Sequence, residues 1–202
     1  MRPDADEVAT IVESQLDDIA AVRQQMADVV ERRRPGSVLS VGEGCDRVST
    51  FVGGCLAVGA LPGTTALVVP LDVRAVPTSF HRLGPRAVGT CRIAPVLGDV
   101  LSPPLPPASF DMVVSSMMID DVGAPEDAVA SLVALARPGG WVVISGHGID
   151  ARPEWDGIPD VLGSNHPDQV YPDQVEGWLA GRGATVTGRW ASAHTWMLEA
   201  AV

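Results

Sequence analysis

The chain has 202 residues, nearly half of them apolar, which suits one well-buried domain and is short for two. Its formal charge of −11 repels phosphate backbones and anionic membranes, so neither is an expected partner. All fourteen basic residues are arginine, which removes lysine Schiff-base chemistry, a lysine general base and a Walker-type phosphate loop.

The three cysteines, Cys45, Cys55 and Cys91, are widely spaced and form neither a redox pair nor a zinc cluster, so no metal is expected. Arg2, Pro3 and the acids after them do not make a signal peptide, and no apolar run reaches the ~18 residues of a membrane span. A soluble protein of a reducing cytoplasm is expected.

Residues 4 to 34 carry apolar side chains at Val8, Ile11, Val12, Leu16, Ile19, Val22, Met26, Val29 and Val30, the stripe of a helix. Asp4, Asp6 and Glu7 begin it, Arg32 to Arg34 complement its C-terminal dipole, and Pro35-Gly36 stops it. One long helix or two shorter ones fit, serving as a packing segment or a lid. Ser37 to Val41 is then a short strand ending in glycines, and Val48 to Ala60 reads as a helix. Strands follow at Thr65 to Leu71, ending at Asp72, and at Arg92 to Leu97, ending at Gly98-Asp99. Ser102 to Ser109 is a proline-rich surface loop, and Phe110 to Ser115 is another strand. Ala124 to Ala136 reads as a helix with acids in its first turn, and Pro138-Gly139-Gly140 turns the chain into a strand at Trp141 to Ser145.

Gly146 to Val170 has no regular pattern and is long enough to be a functional insertion. Asp173 to Gly181 is a helix, and Ala184 to Trp190 with His194 to Ala200 form an antiparallel pair. Continuously apolar strands separated by helices predict an α/β fold, a parallel sheet covered on both faces. The expectation is one domain over 1–202, with a helical segment at 1–34 and the core at 35–202.

In such a sheet, ligands sit beyond the carboxyl ends of the strands, where strand order reverses. Gly42-Glu43-Gly44 after the first strand lets the backbone pass close to a ligand, and the next helix turns its N-terminus toward an anionic part of it. Asp72 stands where a carboxylate accepts both ribose hydroxyls, and Asp99 where it accepts from an adenine amino group.

With these residues in order, the chain resembles the class I S-adenosylmethionine-dependent methyltransferases over roughly residues 35 to 200. VLSVGEG matches their first motif and Asp72 their ribose-binding acid. GDVLSPPLPPASFDMVVSS and ARPGGWVVIS match the signatures of the middle strands. The resemblance implies a Rossmann-like three-layer sandwich, with a seven-stranded mostly parallel sheet and a C-terminal antiparallel hairpin. It implies S-adenosylmethionine as cofactor, with Gly42, Glu43 and Gly44 along its methionine and ribose. It places Asp72 and Val73 at the ribose and adenine, Asp99 and Val100 at the adenine edge, and Ser115 and Ser116 by the transferred methyl. Two positions depart from the family's pattern: Ser40 stands where an acid is usual, and Asp46 where a third glycine is usual. Asp46 offers a carboxylate to the cofactor's ammonium in partial replacement.

Methyl transfer from a sulfonium is an in-line displacement whose leaving group needs no acid, so alignment dominates and a general base helps hydroxyl or ammonium acceptors. Among the four histidines, His147, just past the fifth strand, is the best-placed base, and His166 in the insertion can reach the same mouth. His81 and His194 read as structural. Asp120 and Asp121 orient an amine acceptor or cap a loop; Met117, Met118 and Tyr171 form an acceptor wall or packing; Trp155 is a loop aromatic fit to cover a ligand.

The leading expectation is therefore a methyltransferase with a small-molecule substrate, O- or N-methylating, with a homodimer left open. The alternatives are a relative that binds the same cofactor and catalyses cyclisation or another rearrangement, and a non-catalytic partner subunit. A nicotinamide oxidoreductase is a further alternative, weakened because the short-chain type needs a lysine that this chain lacks.

Overall fold

The computed structural model describes residues 5–42, 65–73, 86–88, 90–148 and 170–202, with side chains from residue 17 onward in the first of these ranges. The expected helix 48–60 lies outside them. Helix α1 runs Ala5–Arg33. Strands β1 (Ser37–Val41), β2 (Leu67–Asp72), β3 (Arg86–Val88), β4 (Cys91–Ile93), β5 (Val96–Leu97) and β6 (Phe110–Ser115) follow. A short 3-10 helix spans Ile119–Asp121, then come α2 (Pro125–Leu135), β7 (Ala136–His147), α3 (Pro172–Gly181), β8 (Thr185–Ala191) and β9 (Thr195–Ala201).

Among the described residues the strands form one sheet ordered β3-β4-β2-β1-β6-β7-β9-β8, with β5 alongside β2. β1 pairs parallel with β2 and β6, and β6 pairs parallel with β7. β9 inserts antiparallel between β7 and β8. The expected α/β sheet with an antiparallel C-terminal hairpin is observed.

Three details differ from expectation, the first being that β7 begins at Ala136, so Pro138-Gly139-Gly140, read as a turn before the strand, lies within it at an irregularity in its pairing with β6. The segment read as one strand, Arg92 to Leu97, is split into β4 and β5, both on β2. Pro95 lies between them and has no N–H for the ladder. The three-residue β3 adds an antiparallel edge on β4, so the seven expected strands become nine.

Alternation along each strand explains the two layers around the sheet. Leu39, Val41, Val69, Leu71, Val113 and Ile144 face the side covered by α2 and α3. Val38, Val68, Met112, Val114, Val143 and Met197 face Ile19, Val22, Met26 and Val30 of α1. Each fully buried aliphatic side chain of this kind stabilises by roughly 1.5–3 kcal/mol.

α1 is pinned at two places along β9. Glu199 is buried and accepts from Arg32 Nη2 at 2.7 Å and Arg33 Nε at 2.6 Å, while the Arg33 guanidinium lies 3.4 Å over the Trp141 ring. The C-terminal arginines thus find a carboxylate as well as a helix dipole. Fifteen residues earlier in the helix, Asp18 Oδ2 accepts the His194 N–H at 3.0 Å. Since β9 runs Thr195 to Ala201, α1 runs beside it in the same direction, entering from the end of the sheet where β7 finishes. At the opposite end, Asp111 accepts from Ser37 N–H at 2.9 Å and Arg137 Nε at 2.8 Å, tying β1, β6 and β7 together.

Candidate functional site

The chain moves outward from β1 through β2 to β4, then returns to place β6 on the other flank of β1. Strand order therefore reverses between β1 and β6, the position where an open parallel sheet leaves a crevice at its carboxyl edge. Val41 of β1 lies opposite Ser115 of β6, so Gly42 and Ser116 are the first residues past the strands on either side of that crevice.

Gly42 has φ +89, and a β-carbon there would stand 2.7 Å from Met118 Cβ. Both facts require glycine. Its N–H donates to Leu71 O at 3.0 Å, closing the β1 turn onto the end of β2. Asp72 ends β2 and is buried, and Gly98 N–H donates to Asp72 O at 2.9 Å. Val73 and Leu97 beside it are 60% and 55% exposed, an apolar ledge next to the acid.

Asp99 Oδ1 accepts the Leu101 N–H at 2.9 Å, a turn-forming contact. Val100 is buried in the core with Leu71.

On the other flank, the Ser115 hydroxyl is fully buried and has no hydrogen-bond partner, a group that a ligand or water would satisfy. Ser116 is buried beside it. Met117 adopts φ +54, a left-handed conformation that costs a side-chain-bearing residue about 1–2 kcal/mol and collects at functional sites. Ser145 holds that turn, its carbonyl and hydroxyl both accepting from Met117 N–H at 3.2 and 3.1 Å.

His147 ends β7. Alternation with Val143 and Ser145, whose hydroxyl reaches Met26 Sδ, puts its side chain on the α1 side. Asp120 is buried beneath this end of the strand, accepting from His147 N–H at 2.9 Å. Gly42, Asp72, Ser115, Ser116, Asp120 and His147 thus gather along one edge of the sheet. Glu43, Gly44, Asp46, His166 and Trp155 lie outside the described residues. His194 sits in the β8–β9 turn against Asp18 of α1.

The fold that carries these residues is shared with solved structures. A SAM-dependent methyltransferase from Aquifex aeolicus superposes with a TM-score of 0.60 at 14% identity, covering 91% of this chain and 98% of that one. A 1,6-didemethyltoxoflavin-N1-methyltransferase from Burkholderia thailandensis, solved with its substrate and S-adenosylhomocysteine, gives 0.64 at 18% identity, covering 96% and 86%. This chain has the class I methyltransferase fold. The methyltransferase domain family matches residues 53–144, and the resemblance carried by the sequence motifs is borne out. The cyclase SpnF shares the same fold, with a TM-score of 0.58 at 14% identity, covering 88% of this chain and 79% of that one. No curated protein matches the sequence.

In this methyltransferase fold, two residues at the site, Gly146 and Trp196, escaped the sequence reading. Met118 was read as wall or packing, and it closes on Gly42. Gly146 is another position where a side chain does not fit: a β-carbon there would lie 2.5 Å from Trp196 Cζ2 and 2.9 Å from Asp120 Oδ2. Trp196 itself is buried, with its indole N–H unpartnered. Cys91 lies apart on β4, and burial pushes its thiol above the ordinary range, unlike a reactive thiol. Among the described residues no cluster suited to a metal ion occurs, and no helix is long and apolar enough to cross a membrane.

Proposed function

We propose that this protein is an S-adenosylmethionine-dependent methyltransferase acting on a small-molecule acceptor, at oxygen or nitrogen. The observation that carries the reading is the placement of Gly42 and Ser116 just past the Val41–Ser115 pair at the switch point, with Asp72 at the neighbouring strand end. These residues fit the adenosyl cofactor. The glycine turn at Gly42, closed onto Met118, sets the backbone along which the methionine chain lies, and Asp72 accepts ribose hydroxyls. The Val73 and Leu97 ledge covers an adenine face, with Asp99 and Val100 at its edge, and the unpartnered Ser115 hydroxyl meets a polar group near the sulfonium. Glu43, Gly44 and Asp46 are further cofactor-binding residues in this reading.

When bound, the cofactor supplies an electrophilic methyl group on sulfur. The protein's part is then to align the acceptor and exclude water, a contribution of many orders of magnitude when geometry is well set. His147 takes the acceptor proton as general base, with His166 the second candidate for that role. α1 continues about 20 Å beyond Asp18 toward its start at 1.5 Å per residue, past the carboxyl edge of the sheet. Its first turns roof the acceptor mouth while its last half packs on the sheet, all within one domain.

The acidic surface favours small acceptors over nucleic acid, and the reading places the protein in the cytoplasm, as a monomer or homodimer. Incubation with S-adenosylmethionine and a panel of phenols, amines and carboxylates tests it. Formation of S-adenosylhomocysteine with a methylated acceptor supports it, whereas its absence across the panel despite tight cofactor binding counts against it.

The second reading is cofactor binding with cyclisation or another rearrangement. It is favoured by the likeness to SpnF and by Ser40, buried in β1 where the family usually has an acid. An acceptor that isomerises without consuming S-adenosylmethionine would establish it.

A further inference from the structure

Asp120 lies in the short helix after β6 and is 2% exposed, among Ile119, Trp196 and the Gly146 backbone. A carboxyl group at such a place is costly unless its oxygens are hydrogen-bonded. Both are: Oδ2 accepts the His147 N–H at 2.9 Å, and Oδ1 accepts the Val170 N–H at 3.3 Å. His147 is the last residue of β7, and Val170 leads through Tyr171 into α3. One side chain therefore holds both described flanks of the long insertion. Gly146 makes the arrangement possible, since any β-carbon there would push against Oδ2 and the Trp196 ring.

We propose that Asp120 is a positioning residue rather than a group that meets the acceptor. Its carboxyl group fixes the backbone at His147 and Val170, and so sets where the His147 imidazole and the Tyr171 ring stand at the mouth. The functional part of this inference rests on the methyltransferase reading of that end of the sheet; the tie itself rests on the geometry alone. An acid suits the task because an ionised carboxylate is acceptor-only, with an oxygen for each N–H. Asparagine offers one oxygen and turns a donor toward the second N–H.

The test is amide NMR on the isotope-labelled full chain. In the wild-type protein, the amide shifts of His147 and Val170 titrate with one shared midpoint, that of the Asp120 carboxyl group. The neighbouring titratable side chains are separated by His147→Gln and Asp121→Asn, in which the shared midpoint persists. In Asp120→Asn the shared titration is lost and hydrogen exchange at both amides accelerates at least tenfold, while Leu39 and Val113 in the sheet exchange within twofold of wild type. A packing role for residue 120 gives no common midpoint, and finding separate midpoints in the wild-type protein overturns the proposal even if the variant does not fold. S-adenosylhomocysteine affinity in Asp120→Asn stays within threefold of wild type. A loss beyond tenfold places Asp120 in the cofactor cradle and overturns the positioning role. Failure of the wild-type protein to bind the nucleoside sinks the cofactor reading instead, and the amide titration then judges the tie by itself.

Discussion

Gly42 and Met118 meet with no room for a side chain between them, a β-carbon on Gly42 coming within 2.7 Å of Met118 Cβ. The contact locks the turn after β1 against the turn after β6, and these are the two walls of the switch-point crevice. Gly42→Ala must relieve both that clash and the strain of φ +89, together about 2–4 kcal/mol. Urea denaturation should show a loss of that size, and calorimetry should show S-adenosylhomocysteine affinity down tenfold or more.

Asp72 separates binding from folding more cleanly. Replacing it with asparagine keeps the shape of the strand end but removes the charge that accepts ribose hydroxyls. S-adenosylhomocysteine affinity is expected to fall at least tenfold, about 1.4 kcal/mol or more, as for hydrogen bonds to charged groups. Affinity for adenine alone should change little.

Val73 is 60% exposed, so its side chain does little for the fold. Val73→Ser removes apolar area that the account puts against the adenine, worth roughly 1 kcal/mol. Affinity should drop about fivefold with the melting temperature unchanged. A fall in melting temperature with affinity kept would assign Val73 to packing.

His147 is the proposed base. With an acceptor found by product screening, His147→Ala should lower kcat by about a hundredfold or more and leave S-adenosylhomocysteine affinity within twofold. Unchanged turnover would remove His147 from catalysis and direct attention to His166.

Glu199 should matter to stability and not to binding. Glu199→Gln leaves Arg32 and Arg33 facing a neutral amide in a buried position. Breaking a fully buried pair costs about 3–5 kcal/mol, but the arginines are 52% and 28% exposed, so a loss of roughly 1–2 kcal/mol is expected by urea denaturation.

The parallel core was readable in the sequence because its strands are buried on both faces and so run continuously apolar. Ser37–Val41 and Phe110–Ser115 have the expected bounds. The edge was less readable. Pro95 divides a run that looks like one strand, and β3 is too short to carry a pattern. Acids and glycines at strand ends pointed to the site because their chemistry is local to each turn. The closure of Met118 on Gly42, and of Trp196 and Asp120 on Gly146, depends on which strands become neighbours, which no local pattern encodes. Glu199 did leave a trace: a lone charge inside the apolar strand Thr195–Ala201 needs a partner, and Arg32 and Arg33 supply it.

The central claim is that the crevice between β1 and β6 holds an adenosyl sulfur cofactor. Calorimetric titration of the purified full chain with S-adenosylmethionine, S-adenosylhomocysteine and NAD tests it most directly. Saturable one-to-one binding of both sulfur nucleosides, weakened in Asp72→Asn, and no binding of NAD are expected. Binding of NAD alone, or sulfur-nucleoside binding unaffected by both Gly42→Ala and Asp72→Asn, would contradict it.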